Sequence, residues 1–235
     1  MWFEKGLDTP VSDYADIQRF AVQLAQPGDT LVEVGSFVGE SMAYMLDEVK
    51  ASGKSLRVFA VDLWDIVEMC KDGDHSLDMR MNDTGLTSRA WLAKLGPRCM
   101  LAEFFTNLAH NGRDKLLTAA LVGRSAEMAA LFPNLSVRFC FLDAGHSYEN
   151  LTADLHAWYP KVRPDGLFAG HDWFSGEQVR RAVTDFAREK GLQIALTSSS
   201  WVLVTPGSPM AAHVQAYSPP AAAQPVQPAA PLYTL

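Results

Sequence analysis

Apolar and polar positions along the chain alternate between two periods. Residues 30–34, 56–61, 116–122, 137–142 and 166–170 are short, nearly continuous apolar runs bounded by turn residues. Runs of that length read as strands buried on both faces. Between them apolar residues return at helical spacing. Ile17, Phe20, Ala21 and Leu24 follow a cap at Ser12 or Asp13, and further helices are predicted over 38–50 (closed by Gly53), 126–131, 149–159 and 177–189. Residues 192–196 and 201–204 add two strands near the end. Alternating units of this kind predict an α/β fold: a doubly wound, mostly parallel sheet of about seven strands with helices on both faces.

Two stretches break the rhythm. The connection from Leu63 to Lys115 is far longer than a usual link between strands. Its first part, with Lys71-Asp-Gly-Asp-His-Ser76 and Met81-Asn-Asp-Thr-Gly85, is polar and turn-rich, so residues 63–98 are expected to form a mobile cap over the site, the alternative being a surface insertion without catalytic role. Its second part carries Leu101, Phe104, Phe105 and Leu108 at helical spacing and reads as a sheet-covering helix over 99–110. After Lys190 the chain has no Asp, Glu, Lys or Arg. From Pro206 it is mostly Ala, Pro, Gln and Ser with little to bury. One domain over 1–206 and a flexible tail over 207–235 is the expected organisation, the tail running free or docking on a partner subunit of a homo-oligomer.

Composition narrows the partners. The formal charge of −7 and a sequence pI near 5.3 argue against nucleic-acid and anionic-membrane surfaces. No window holds the roughly 18 consecutive apolar residues of a membrane helix, and Met1-Trp-Phe-Glu-Lys5 lacks the character of a signal peptide. Three widely spaced cysteines, Cys70, Cys99 and Cys140, suit buried thiols in a reducing cytoplasm.

The turn after the first strand, Glu33-Val-Gly-Ser-Phe-Val-Gly-Glu-Ser41, carries a candidate cofactor site. Gly35 permits a tight turn and Gly39 lets the helix start close to the sheet. A dinucleotide loop needs a third glycine where this chain has Phe37, so a pyrophosphate would meet a benzyl group. No Lys follows in the pattern of a phosphate loop either. A nucleoside cofactor without phosphates fits better. Glu33 could accept from a cationic amine, Asp62 at the end of the second strand from ribose hydroxyls, and Gly123-Arg-Ser125 would border an adenine.

Ionisable residues then cluster at the ends of the fourth and fifth strands, in Asp143-Ala-Gly-His-Ser-Tyr148 and Gly170-His-Asp-Trp173. Ligands of open α/β sheets bind at the carboxyl ends of strands, so these four side chains read as a reaction centre that could hold a metal. His156, within a predicted helix, reads as structural. His75, His110 and His213 have no nameable partner, Arg180 and Arg181 read as solvated charge, and Tyr148 and Trp173 stand either as pocket wall or as packing.

With these motifs, residues 30–173 resemble the class I S-adenosylmethionine-dependent methyltransferases, whose fold is Rossmann-like. Phe141-Leu-Asp-Ala-Gly-His-Ser-Tyr-Glu149, Asp154-Leu-His-Ala-Trp158, Arg163-Pro-Asp-Gly166 and Ala169-Gly-His-Asp-Trp173 are similar to one subgroup, the macrocin-type sugar O-methyltransferases and cephalosporin hydroxylase-like proteins. The resemblance implies S-adenosyl-L-methionine as cofactor, held by Glu33, Gly35, Ser36, Gly39, Ser41, Asp62, Leu63, Ser125 and Asp143. It implies His146 as general base beside Asp143, and Asp143 and Asp172 as carboxylate ligands of Mg²⁺ or Mn²⁺. Where the subgroup often has another carboxylate this chain has His171, which stands as a third ligand, a second base or a loop-held structural residue. The implied activity is methylation of a hydroxyl on a sugar or other small molecule. A metal-dependent hydrolase and a non-catalytic nucleoside-binding module are the alternatives.

Overall fold

Leu, Val, Ala and Phe make up most of the apolar runs, and their Val and Phe suit positions covered on both faces of a sheet. In the computed structural model, which describes residues 14–65, 90, 99–174, 176–197 and 199–217, these runs form β1 (Thr30–Val34), β2 (Arg57–Asp62), β3 (Ala119–Val122), β4 (Val137–Leu142) and β5 (Val162–Gly170). With β6 (Gln193–Thr197) and β7 (Ser200–Val204) they make one seven-stranded sheet of order β3-β2-β1-β4-β5-β7-β6. Neighbours among β1 to β5 are parallel, while β7 runs antiparallel to both β5 and β6. The expected doubly wound architecture is what the chain adopts.

Among the described residues seven α-helices accompany the sheet: α1 (Ala15–Leu24), α2 (Glu40–Ser52), α3 (Cys99–Ala109), α4 (Ser125–Met128), α5 (Tyr148–Trp158), α6 (Glu177–Lys190) and α7 (Pro209–Tyr217). Alternation along the strands divides the core into two layers. Leu31, Phe139 and Phe141 pack with Ile17, Met42, Leu46 and Phe104 from α1, α2 and α3. Val32, Val34, Cys140 and Leu142 pack on the other face with Leu155 and Trp158 of α5 and Val183 and Phe186 of α6. Helix α6 shows how local pattern fixes packing, because its buried stripe is Val179, Ala182, Val183, Phe186 and Ala187. Each large side chain of that stripe contributes about 1.5–3 kcal/mol by leaving water.

Register positions the functional loops. Val34 pairs with Leu142, and Leu142 with Gly170, so β1, β4 and β5 end in one line. Backbone bonds continue one residue beyond: Asp143 N donates to Val34 O (2.7 Å) and His171 N to Leu142 O (3.1 Å). Gly35, Asp143 and His171 therefore leave the sheet side by side.

Several boundaries depart from the sequence reading. β3 begins at Ala119 because residues 110–116 form a short 3₁₀ element broken by the left-handed Asn111 (φ 61°) and Gly112 (φ 69°). β5 begins at Val162, with its irregular start absorbed by a register shift against β4. The segment expected to be flexible from residue 207 contains α7, whose Met210 and Val214 join the core. Two apolar residues one helical turn apart are enough to dock it, but too few to stand out among Ala and Pro. The caps proposed at Ser12 and Asp13, most of the 63–98 cap and residues 218–235 lie outside the described residues. Among the described residues no helix is long and apolar enough to cross a membrane.

Candidate active site

The loop between β1 and α2 is shaped by close approach. Gly35 sits at φ 91°, and a Cβ there would fall 2.0 Å from Asp143 O, so only glycine lets this turn lie against the end of β4. Gly39, at φ 89°, is the N-cap of α2, and a Cβ on it would press to 2.9 Å from the ring of Phe104. Between them Phe37 holds φ 45° and is clamped from both sides. Its amide donates to Asp62 Oδ2 (2.8 Å), and its carbonyl accepts from Trp64 Nε1 (2.6 Å).

Asp62 does more than the sequence suggested. Its second oxygen accepts the amide of Trp64 at 2.7 Å, so both carboxylate oxygens tie β2 to neighbouring backbone. Burial pushes the Asp62 carboxyl above its ordinary value, while the amides of Trp64, Phe37, Leu63 and Ser36 pull it back. Leu63 lies between these clamped residues, partly buried.

Glu33 is fully buried beneath the loop, on the α1 face of β1. Burial raises its carboxyl to about 8, against the opposing effect of the Ser36 and Ser41 hydroxyls beside it. Gln18 Nε2 donates to Glu33 Oε2 at 3.2 Å. Sequence reasoning missed Gln18. The signal was its helical spacing from Ala15 and Val22, which puts a polar residue on a buried face.

The Ser125 hydroxyl accepts from Trp158 Nε1 at 3.0 Å and bonds the buried Asp154, so it faces α5.

At the ends of β4 and β5 the four expected residues meet. His146 Nε2 is 2.7 Å from Asp172 Oδ2 and 3.8 Å from Asp143 Oδ1. His171 Nδ1 lies 3.5 Å from Asp172 Oδ1 and 3.9 Å from Asp143 Oδ1, with the rings of Tyr14 and Phe141 packed around its imidazole. Burial alone would raise the Asp172 carboxyl. The neighbouring imidazoles of His146 and His171 outweigh it and hold the group well below the carboxylate range. Potential ligand atoms of Asp143, His146 and Asp172 lie within 4.8 Å of one another. His146 joins the two carboxylates in this trio, and His171, which the sequence reading set beside them, faces the same two carboxylates through Nδ1. Two carboxylates and one imidazole are a donor set suited to Mg²⁺ or Mn²⁺.

The surrounding residues separate into roles. Tyr148 turns toward α6, donating to Asp185 Oδ2 (3.2 Å) beneath the Arg181 guanidinium, 4.3 Å from its ring centre. Arg180 donates to the carbonyls of Trp173 (3.2 Å) and Phe174 (3.5 Å), so neither arginine is merely solvated. Trp173 packs partly into the core. His156 bridges Thr152 O (2.8 Å) and Glu189 Oε2 (3.1 Å), a structural link between α5 and α6. His110 is in the 3₁₀ turn and His213 is exposed on α7, while His75 lies outside the described residues.

A clamped glycine loop with an acid closing β2, and an acid–imidazole cluster closing β4 and β5, is the layout that comparison with known proteins identifies. The model of the methyltransferase-domain family matches residues 32–173, more than half of the chain. The protein belongs to that family. This methyltransferase shares its fold with NovP, an O-methyltransferase (TM-score 0.60, 19% identity, covering 82% of this chain and 79% of that one). TomG from Streptomyces achromogenes, an O-methyltransferase of tomaymycin synthesis solved with S-adenosylmethionine, also matches (0.53, 11%, 84% and 82%). So does SMU.1697c from Streptococcus mutans, solved with S-adenosylhomocysteine (0.52, 8%, 83% and 97%). At these identities the likeness is one of fold. No curated protein matches the chain.

Proposed function

We propose that this methyltransferase moves the methyl group of S-adenosylmethionine to a hydroxyl of a sugar or another small molecule. The observation that carries the reading is the 2.7 Å contact of His146 Nε2 with Asp172 Oδ2, beside the glycine loop and at the carboxyl end of the sheet. Methyl transfer from a sulfonium needs the acceptor oxygen aligned with the methyl carbon and its proton removed. In this reading Asp172 pairs with Nε2 at 2.7 Å, and Nδ1 takes the hydroxyl proton. The resulting imidazolium is stabilised by the same carboxylate.

On the cofactor side, Glu33 supplies the acceptor for the ammonium group and Asp62 the acceptor for the ribose diol. Phe37, clamped in place of a third glycine, stands where a pyrophosphate would need bare backbone. Asp143, Asp172 and His146 would hold a divalent cation, which when bound would supply Lewis acidity that lowers the pKa of a coordinated hydroxyl. The two uses of His146 Nε2, pairing with Asp172 and coordination, exclude each other. With a cation bound through His146, His171 is the remaining imidazole for the proton.

Calorimetry with S-adenosylmethionine and with NAD, followed by turnover against a panel of sugar and phenolic acceptors, tests the proposal. Binding of NAD without binding of the sulfonium cofactor would remove it.

A further inference from the structure

Asp172 occupies left-handed backbone space at φ 61°, an uncommon conformation that survives where the surroundings hold it. What holds it comes from the antiparallel end of the sheet. Gly170 is the register partner of Trp201 in β7, and Trp201 is fully buried. The indole lies across the end of β5, so that a Cβ at Gly170 would fall 2.2 Å from Trp201 Cζ2. Its Nε1 donates to His171 O at 3.0 Å. On the far side of Asp172, Trp173 N donates to Ser199 O at 2.9 Å, from the turn that leads into β7. Both neighbours of Asp172 are therefore fastened to one strand and its turn, and Asp172 itself is left to point at His146.

We infer that Trp201 is a positioning residue for methyl transfer: by holding the carbonyl of His171 it fixes the left-handed turn that keeps Asp172 against His146. The inference rests on the reading of His146 and Asp172 as the proton-handling pair. A merely structural tryptophan would contribute stability and nothing specific to that pair. The indole instead touches the loop at the residue next to the carboxylate, and the glycine required opposite it shows that this approach is built into the strand. In the sheet, β4 and β5 stand between the strand of Trp201 and β1, whose following loop carries Phe37. The effect of Trp201 should therefore fall on the acceptor side and spare the cofactor.

The test compares Trp201→Phe, which keeps an aromatic ring and removes the N–H, with Phe186→Leu, a change in the same core layer away from the loop. Both variants should melt a few degrees lower, about 2–4 °C for each kcal/mol lost at this chain length. Trp201→Phe should lower kcat about tenfold with the calorimetric Kd for S-adenosylmethionine unchanged, and Phe186→Leu should keep kcat. Nitrogen-15 spectra of the imidazole rings supply a readout independent of turnover: the resonances of His146 and His171 should move in Trp201→Phe and stay in Phe186→Leu. Equal kcat in the two variants, or unmoved imidazole signals in Trp201→Phe, overturns the inference. Shifted imidazole signals in a protein that turns over no acceptor would sustain the positioning role while removing the functional reading. Should Trp201→Phe fail to fold, the sulfur isostere of tryptophan at Trp201, equal in shape but without the N–H, takes its place in the same measurements, with the same outcomes expected.

Discussion

The carboxylate of Asp62 accepts the amide of Phe37 at 2.8 Å, so the residue expected to hold the cofactor's ribose also holds the loop that shapes the cofactor's pocket. Asp62→Ala should therefore weaken S-adenosylmethionine binding by roughly 1.5–3 kcal/mol, the scale of hydrogen bonds to a charged acceptor. It should also destabilise the fold, since the amides of Phe37 and Trp64 lose their acceptor. Calorimetry and melting curves measure the two effects separately. An unchanged affinity would show that the ribose does not lie on Asp62.

Glu33 links the cofactor site to pH. Its carboxyl is raised to about 8 in the fold, chiefly by burial, from an ordinary value of 4.5. A folded-state value above the unfolded one means that the native state binds the extra proton, so stability falls as pH rises between those limits. Glu33→Gln should therefore match the wild type below about pH 4.5, gain on it through the neutral range, and hold a constant advantage above about pH 8. Denaturant titrations at several pH values test the sign, and a variant that loses ground as pH rises refutes it. If the cofactor ammonium sits on Glu33, binding at neutral pH releases a proton. Calorimetry in two buffers of different ionisation enthalpy detects that release.

Helix α7 makes a prediction that the Ala- and Pro-rich composition of its surroundings conceals. Met210 is buried against the core with Val214 one turn further on. Met210→Ala should cost about 2–5 kcal/mol, the range for truncating a buried methionine, where a residue in a free tail would cost nothing. Chemical denaturation of the variant decides between a docked helix and a tail.

The sheet was legible because its strands are uninterrupted apolar runs and its helices carry stripes such as Val179, Val183 and Phe186. Asp143, His146, His171 and Asp172 could be read as a cluster because parallel strands end on one edge of the sheet, so motifs that follow them must be neighbours. What could not be read depends on register and on contacts between layers. Trp201 reaches His171 only because it pairs with Gly170, and no periodicity in the sequence states that pairing. Gln18 meets Glu33 across the gap between α1 and β1. The register of α5 brings Trp158 and Asp154 to the Ser125 hydroxyl. That both imidazoles turn toward the carboxylates is also a matter of packing, which the order of residues in the two loops does not state.

The contact between His146 and Asp172 sets the last prediction. His146→Ala should lower kcat on the order of 10²–10⁴-fold, the range for a lost general base. Cofactor affinity should hardly move, because Glu33, Asp62 and the glycine loop lie on β1 and β2, whereas His146 follows β4. Asp172→Asn should lower kcat by less, since it leaves the imidazole present but weakens its orientation and the stabilisation of its charge. Chelation divides the two uses of the cluster. If Asp143, Asp172 and His146 hold a divalent cation, excess chelator should abolish turnover and added Mg²⁺ or Mn²⁺ should restore it. If Nε2 instead pairs with Asp172 and Nδ1 takes the proton, chelator should leave kcat unchanged while His146→Ala still removes it. A chelator-sensitive enzyme that tolerates His146→Ala would assign the proton to His171, whose ring lies 3.5 Å from the same carboxylate.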